Sequence, residues 1–295
     1  MQNSKGMNHK STHILYEDDD IMVINKPAGL VVHSDGRTAE QTVVDWILTH
    51  RPDIRGVGDE NESGSKNYEL KGSNKSKGSL HNSEFILHNS SADLRSGIVH
   101  RLDRETSGAL IIAKNQETFL SFKRQFKKQE VHKTYHAFVY GRMKNDDGLI
   151  NRPIARSRAN PVLWSATRGR KGEDREAVTE YKVLARLTLP YQGEYSDSYR
   201  RRGVNESRND SFFTLLELYP RTGRTHQLRV HLKAINYPIV ADKLYSKNEQ
   251  ALGFNRLALH SRAISFLLAN GKRITVEAPY PEDFEKALKI FWKHQ

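Results

Sequence analysis

The sequence predicts an α+β fold. Two observations carry this: apolar runs of strand length that pair off as hairpins or neighbours, and four segments of helical periodicity set between and after them. Ile14-Leu15-Tyr16 and Ile21-Met22-Val23-Ile24-Asn25 flank Glu17-Asp18-Asp19-Asp20, which reads as a hairpin with an acidic, solvated turn; a metal site there would need further ligands. Lys26-Pro27-Ala28-Gly29 turns the chain. The stretch from Thr38 to His50 predicts a helix, with Val43, Val44 and Ile47 as its apolar stripe. Ala109-Leu110-Ile111-Ile112-Ala113 is a strand-length apolar run. Asn115 is a suitable N-cap for a helix reaching Gln129, and Phe119, Phe122 and Phe126 share one face that predicts core. Lys123, Arg124, Lys127 and Lys128 cover the rest of that helix. Val178 to Leu184 and Phe212 to Leu218 read as partner strands. After Gly223 a helix is expected with Leu228, Leu232 and Ile235 inward and His226, Arg229 and Lys233 on an adjacent face; Tyr237-Pro238 ends it. A last helix starts near Pro281 and carries Phe284, Leu288 and Phe291.

Two segments break this pattern. From about 56 to 95, and again from 191 to 210, polar and charged residues dominate, which predicts mobile insertions or contact loops. Residues 1–11 are polar and read as a flexible N-terminus without a signal core.

Composition narrows the function. The 295 residues carry 47 Lys and Arg against 35 Asp and Glu, a formal net charge of +12. That sign favours a polyanionic partner, nucleic acid above all. There is no cysteine, so disulfides, zinc-thiolate centres and thiol catalysis are excluded. No apolar run is long enough for a membrane helix, and the expected compartment is the cytoplasm. No GxGxxG loop or P-loop is present, and His226 and His231 miss the four-residue spacing of a helical zinc pair.

The chemistry concentrates in His100-Arg101-Leu102-Asp103-Arg104-Glu105-Thr106-Ser107-Gly108. A carboxylate stands between two arginines, at a polar bend between two apolar segments. A rigid scaffold commonly presents a reactive group at such a place. Taken by itself, the pattern fits a capped, ion-paired turn equally well.

Other segments stand in a fixed order with it: Lys26-Pro27-Ala28-Gly29-Leu30-Val31-Val32-His33, Lys133-Thr134-Tyr135, Gly223-Arg224-Thr225-His226-Gln227-Leu228-Arg229-Val230-His231-Leu232 and Arg256-Leu257-Ala258-Leu259-His260-Ser261. Together the five resemble the RluA-type family of RNA pseudouridine synthases, over residues 14 to about 280. The resemblance implies a mixed, largely antiparallel sheet with flanking helices and a central active-site cleft. It implies one catalytic domain over residues 12–295 and no metal or cofactor. Many family members also carry a small, separate N-terminal RNA-binding domain, which is expected to be absent here because the first strand follows within about a dozen residues of the start. It gives Asp103 the catalytic role and makes Arg229 its ion-pair partner in a bidentate geometry. It places Tyr135 against the target base, Leu228 on the wall of the uracil pocket, and His226 among the substrate-binding residues. Arg101 would fill the space the flipped base leaves. The structural alternatives are a packed Tyr135, a core Leu228 and an ion-paired Arg101. His100 shapes the bend.

The resemblance implies a monomeric enzyme that isomerises uridine in structured ribosomal RNA or tRNA, without membrane or DNA. Residues 152–176, with seven Lys and Arg against three acids and Trp164 among them, are the expected RNA-contacting stretch. The rival readings are an RNA-binding protein of the same fold without catalysis, and a glycosidase, for which Glu105 is the only nearby second carboxylate.

Overall fold

The computed structural model describes residues 12–33, 40–59, 96–190, 210–246 and 250–293. The flexible N-terminus expected over residues 1–11 and most of the two insertions lie outside these residues. The first insertion begins later than its composition suggests: Val57 is buried, and Gly58 exchanges hydrogen bonds with the Gln116 side chain.

A nine-stranded mixed sheet forms the body, in the order β1-β2-β3-β11-β4-β10-β9-β5, with β12 added beside β11. Its strands are β1 (His13–Glu17), β2 (Ile21–Lys26), β3 (Ser107–Ala113), β4 (His132–Tyr140), β5 (Asp147–Asn151), β9 (Val178–Pro190), β10 (Asp210–Pro220), β11 (Leu259–Leu267) and β12 (Arg273–Glu277). A separate three-stranded sheet contains β6 (Ile154–Ser157), β7 (Trp164–Ser165) and β8 (Arg170–Arg175). The helices are α1 (Val43–His50), α2 (Gln116–Lys127), α3 (Gln227–Ala234) and α4 (Glu282–Lys293). The expectation of a largely antiparallel sheet with flanking helices holds.

Local chemistry explains the boundaries. Helix α1 starts at Val43 because Thr42 and Asp45 form a reciprocal capping box. Asn115 accepts from the Thr118 N–H and caps α2. In the acidic turn, Asp18 accepts from the N–H groups of Asp20 and Ile21 and from the Tyr16 hydroxyl, so the cluster is turn chemistry. No grouping of His, Asp and Glu suited to a metal occurs among the described residues.

The sheet's centre positions the site. Strand β3 is buried along its whole length and meets β11 in a short parallel pairing, His260 opposite Ser107 and Ser261 opposite Gly108. Gly108 has φ +112°, and a Cβ there would lie 2.2 Å from the Ser261 carbonyl oxygen. Only glycine permits this approach. The His100–Gly108 run therefore emerges where β3, β11 and β4 lie side by side. Phe138, Phe254, Phe284 and Phe291 pack as one aromatic cluster that seats α4 against this part of the sheet.

Candidate active site

The bend ahead of β3 is fixed by bonds from distant segments. Lys26 is fully buried, and its ammonium donates to the carbonyls of Pro27, Leu30 and Arg104. The Gly29 N–H donates to the same Arg104 carbonyl at 2.8 Å. Arg256 grips Asp283 with two bonds, of 2.6 and 2.8 Å, and also donates to the Glu105 carbonyl. The Thr106 N–H closes on the Asp103 carbonyl at 3.1 Å. His100 Nε2 accepts from the Ile111 N–H, and burial pushes its pKa down to about 3, so it is a neutral structural acceptor. These bonds leave Asp103 little backbone freedom.

Arg229 on α3 reaches Asp103, but not in the expected way. Its Nη1 lies 3.3 Å from Asp103 Oδ2, a single contact at the long end of hydrogen bonding. Its bidentate grip is on Asp242: Nε to Oδ2 at 2.8 Å and Nη2 to Oδ1 at 2.6 Å. Asp242 is fully buried and accepts two further bonds, from the N–H groups of Leu244 and Tyr245. Burial opposes the charge on Arg229, yet the carboxylates of Asp242 and Asp103 outweigh it and raise the pKa further. The guanidinium is anchored by Asp242 and offers one edge to Asp103. Asp103 is bonded to no other side chain among the described residues.

Tyr245 completes the support. Its ring lies under the Arg229 guanidinium at 5.0 Å, and its hydroxyl meets His226 Nδ1 at 2.9 Å and the Trp164 N–H at 3.1 Å. His226 precedes α3 in a left-handed conformation, φ 55°, and Ala241, just before Asp242, has φ 55° as well. Left-handed backbone costs a non-glycine residue about 1–2 kcal/mol, and such strain tends to collect at functional sites. Both strained residues here flank the Arg229–Asp242 pair. Burial lowers the His226 pKa, with Arg229 and Arg101 adding to the effect and the carboxylates of Asp103 and Asp242 opposing it.

A cleft of ≈ 610 Å³ opens over these groups. All six residues singled out in the sequence line it: Asp103, Arg229, Tyr135, Arg101, Leu228 and His226. Tyr135 is nearly buried; burial raises its pKa, a hydrogen bond with Ser261 opposes this, and the Asp103 charge raises it further, so it is a phenol at neutral pH. Leu228 is buried and also lines the cleft. Arg101 is exposed at the mouth. Arg104 turns away to an exposed pair with Glu40.

Among the described residues, the lining holds six Lys and Arg and one carboxylate, Asp103. Glu105 is not among them; it accepts from the Leu257 N–H and sits 3.6 Å from Lys243. Lys133 lines the cleft from β4; Thr106 lines it too, and its hydroxyl is buried with no partner among the described residues.

The small sheet packs through Ile154, Ala166 and Ala177 against Val230 and Ala234 of α3 and against Tyr245. Its outer side is basic, with Arg156, Arg158, Arg168, Lys171 and Arg175 exposed. Trp164 is half-buried with the Arg156 guanidinium 4.2 Å from its ring centroid, so arginine rather than indole covers that face. Asp242 and Tyr245 were not singled out in the sequence. The one local signal is an Asp whose carboxylate bonds N–H groups two and three residues on, a turn pattern that does not by itself mark a site.

Residues 20–234 match the protein family described as RNA pseudouridylate synthase. An uncharacterised RNA pseudouridine synthase of Synechocystis sp. is 33% identical over 277 residues, covering 93% of this chain and 67% of that one. Ribosomal large subunit pseudouridine synthase D of Borreliella burgdorferi is 31% identical over 95% of this chain and 68% of its own length. Among solved structures, human RNA pseudouridylate synthase domain containing 1 superposes with a TM-score of 0.61 at 21% identity, over 92% of this chain and 84% of that one. Human RNA pseudouridylate synthase domain containing 4 gives 0.60 at 22% identity, over 95% and 92%. These two likenesses concern the fold.

Proposed function

The chain belongs to the RNA pseudouridylate synthase family and is an isomerase acting on RNA, and from that premise we propose that Asp103 is its catalytic carboxylate, acting on a uridine flipped into the cleft. The reaction breaks the bond between uracil N1 and the ribose and rejoins the sugar at ring carbon 5. The proton on that carbon leaves, and N1 gains one, so there is no net redox change. Attack at the anomeric carbon, attack at ring carbon 6 and removal of a sugar proton all require an ionised carboxylate with a free oxygen. The observation that carries the reading is Asp103 itself. Among the described residues it is the one carboxylate lining the cleft, its backbone is tied down, and Arg229 holds Oδ2 while Oδ1 makes no side-chain bond.

Tyr135 stacks on the base, Leu228 walls it, and Arg101 stands at the mouth to fill the vacated stack. Stacking of this kind contributes roughly 1–3 kcal/mol per base. The anchored guanidinium of Arg229 orients the carboxylate without neutralising it, because Asp242 takes most of its hydrogen bonding.

The target is a stem-loop of ribosomal RNA or tRNA, held by phosphate contacts along the small basic sheet. The ribosomal substrate named for the Borreliella relative supports the first. Asp103→Asn should release no tritium from 5-tritiated uridine in RNA while binding RNA within a few-fold of wild type. Retained turnover would overturn the assignment.

A further inference from the structure

The cleft contains a charge that the reaction as described leaves unused. Lys133 and Tyr135 are two residues apart on β4, so strand alternation sends both side chains to the same face. Both line the cleft that holds Asp103. The Lys133 ammonium lies 5.9 Å from the Phe126 ring centroid and 3.8 Å from where a Cβ on Gly223 would stand. It pairs with no carboxylate among the described residues. An aromatic face offsets only part of the hydration that a partly buried ammonium gives up. Such a cation calls for an anionic partner that arrives with the substrate.

We propose that Lys133 is a further catalytic residue: its ammonium donates hydrogen bonds to a carbonyl oxygen of the uracil and stabilises the negative charge that develops there. When the bond from N1 to the ribose breaks, its electron pair stays with the ring and is shared by N1, O2 and O4. The same pair is drawn back when the ring bonds to the sugar through carbon 5. A base stacked on Tyr135 presents its edge toward the neighbouring side chain on the same strand face, which is Lys133. An ammonium aimed at charge that appears only during reaction lowers the barrier rather than tightening ground-state binding. The inference rests on the proposed stacking of the base on Tyr135.

Burial holds the Lys133 pKa down to about 8, so the charged form required here is the one lost as pH rises. The charged or titratable groups that line the cleft with Lys133 are His100, Arg101 and Asp103 from the bend, Lys127 from α2, Tyr135 from β4, Arg221 and Arg224 from the turn after β10, and His226 and Arg229 at the start of and within α3. His100 is neutral throughout this range, since its pKa is about 3.

The test uses the full-length chain and total RNA labelled with 5-tritiated uridine, taken from cells lacking this protein. Lys133→Met should lower kcat by about 10²–10³, as loss of a charge-stabilising donor does, with RNA affinity within about threefold and an unchanged or higher melting temperature. Wild-type kcat/KM should fall above a pH of about 8. Lys133→Arg should retain activity and lose that alkaline limb. Lys133→Met with wild-type kcat would overturn the inference. So would a loss confined to RNA affinity, which marks a phosphate anchor, or a wild-type rate that rises through this pH range, which marks a proton acceptor. If Tyr135→Leu turns over as wild type does, the stacking reading falls, and the position argued for Lys133 falls with it.

Discussion

Asp242→Asn is the sharpest probe of how the site is held. The carboxylate accepts four bonds: Arg229 Nη2 at 2.6 Å, Arg229 Nε at 2.8 Å, Leu244 N at 3.0 Å and Tyr245 N at 3.1 Å. Three of these reach Oδ1, and an asparagine oxygen in that place keeps all three. The fourth reaches Oδ2, where the amide NH2 would face Arg229 Nε, donor against donor. The variant thus loses one charge-assisted bond and the counter-charge of a buried guanidinium, while its shape is conserved. Breaking a buried pair from one side costs about 3–5 kcal/mol. At roughly 2–4 °C per kcal/mol for a domain of this size, the melting temperature should fall by about 6–20 °C. Arg229 then keeps one bond to residue 242 but has Asp103 as its one remaining charged partner, so it shifts toward Asp103 and engages it more tightly. A displacement of about 1 Å at a reacting group can cost about 10²-fold in rate, and kcat should fall by that order at a temperature where the variant is folded. Replacing both partners, Arg229→Met with Asp242→Leu, should recover much of the stability and none of the activity. Thermal melts and tritium release on Asp242→Asn, on Arg229→Met and Asp242→Leu singly, and on the double variant form the assay. Additive stability costs, or an Asp242→Asn variant with wild-type melting and turnover, would refute the anchoring role.

Gly108→Ala should destabilise the protein by more than about 4 kcal/mol, the range of severe core and backbone faults, because its Cβ would meet the Ser261 carbonyl at 2.2 Å; a soluble variant with wild-type melting would contradict the β3–β11 geometry. Burial holds the Lys133 pKa down to about 8, below the ordinary lysine value of 10.5, so between those values the unfolded chain binds more protons and stability rises with pH. Lys133→Met should therefore be the more stable protein by about 3 kcal/mol below that window, from about 1.4 kcal/mol per pKa unit. The gap should close above it, as urea melts across the range will register. RNA affinity should fall roughly 10³–10⁵-fold between 50 and 200 mM salt if 6–10 phosphates are neutralised, and a flat response would remove the basic sheet from the account.

Features whose chemistry is local were readable in the sequence. The β1–β2 hairpin, the β9–β10 pair and the Phe stripe of α2 depend on periodicity and on residues a few positions apart, and they form where expected. The site was legible because its residues sit in short contiguous runs: Asp103, Tyr135, Leu228 and Arg229 all reach one cleft. Sequence could not say which carboxylate Arg229 grips, since Asp103 is 126 positions away and Asp242 is 13. Only the chain reversal after α3 brings Asp242 within 2.6 Å. The small sheet was legible as charge and not as strands, because β8 is exposed along nearly its whole length and shows no alternation. Arg101 and Arg104, which flank Asp103 in sequence, hold no bond to it; the pairing comes from across the fold.

Mapping pseudouridine in ribosomal RNA and tRNA, from cells that carry this protein, lack it, or carry only Asp103→Asn, tests the central claim most directly. The account predicts one or more modified uridines in stem-loops that depend on the wild-type chain and are missing from the other two. Modification restored in full by Asp103→Asn would contradict it.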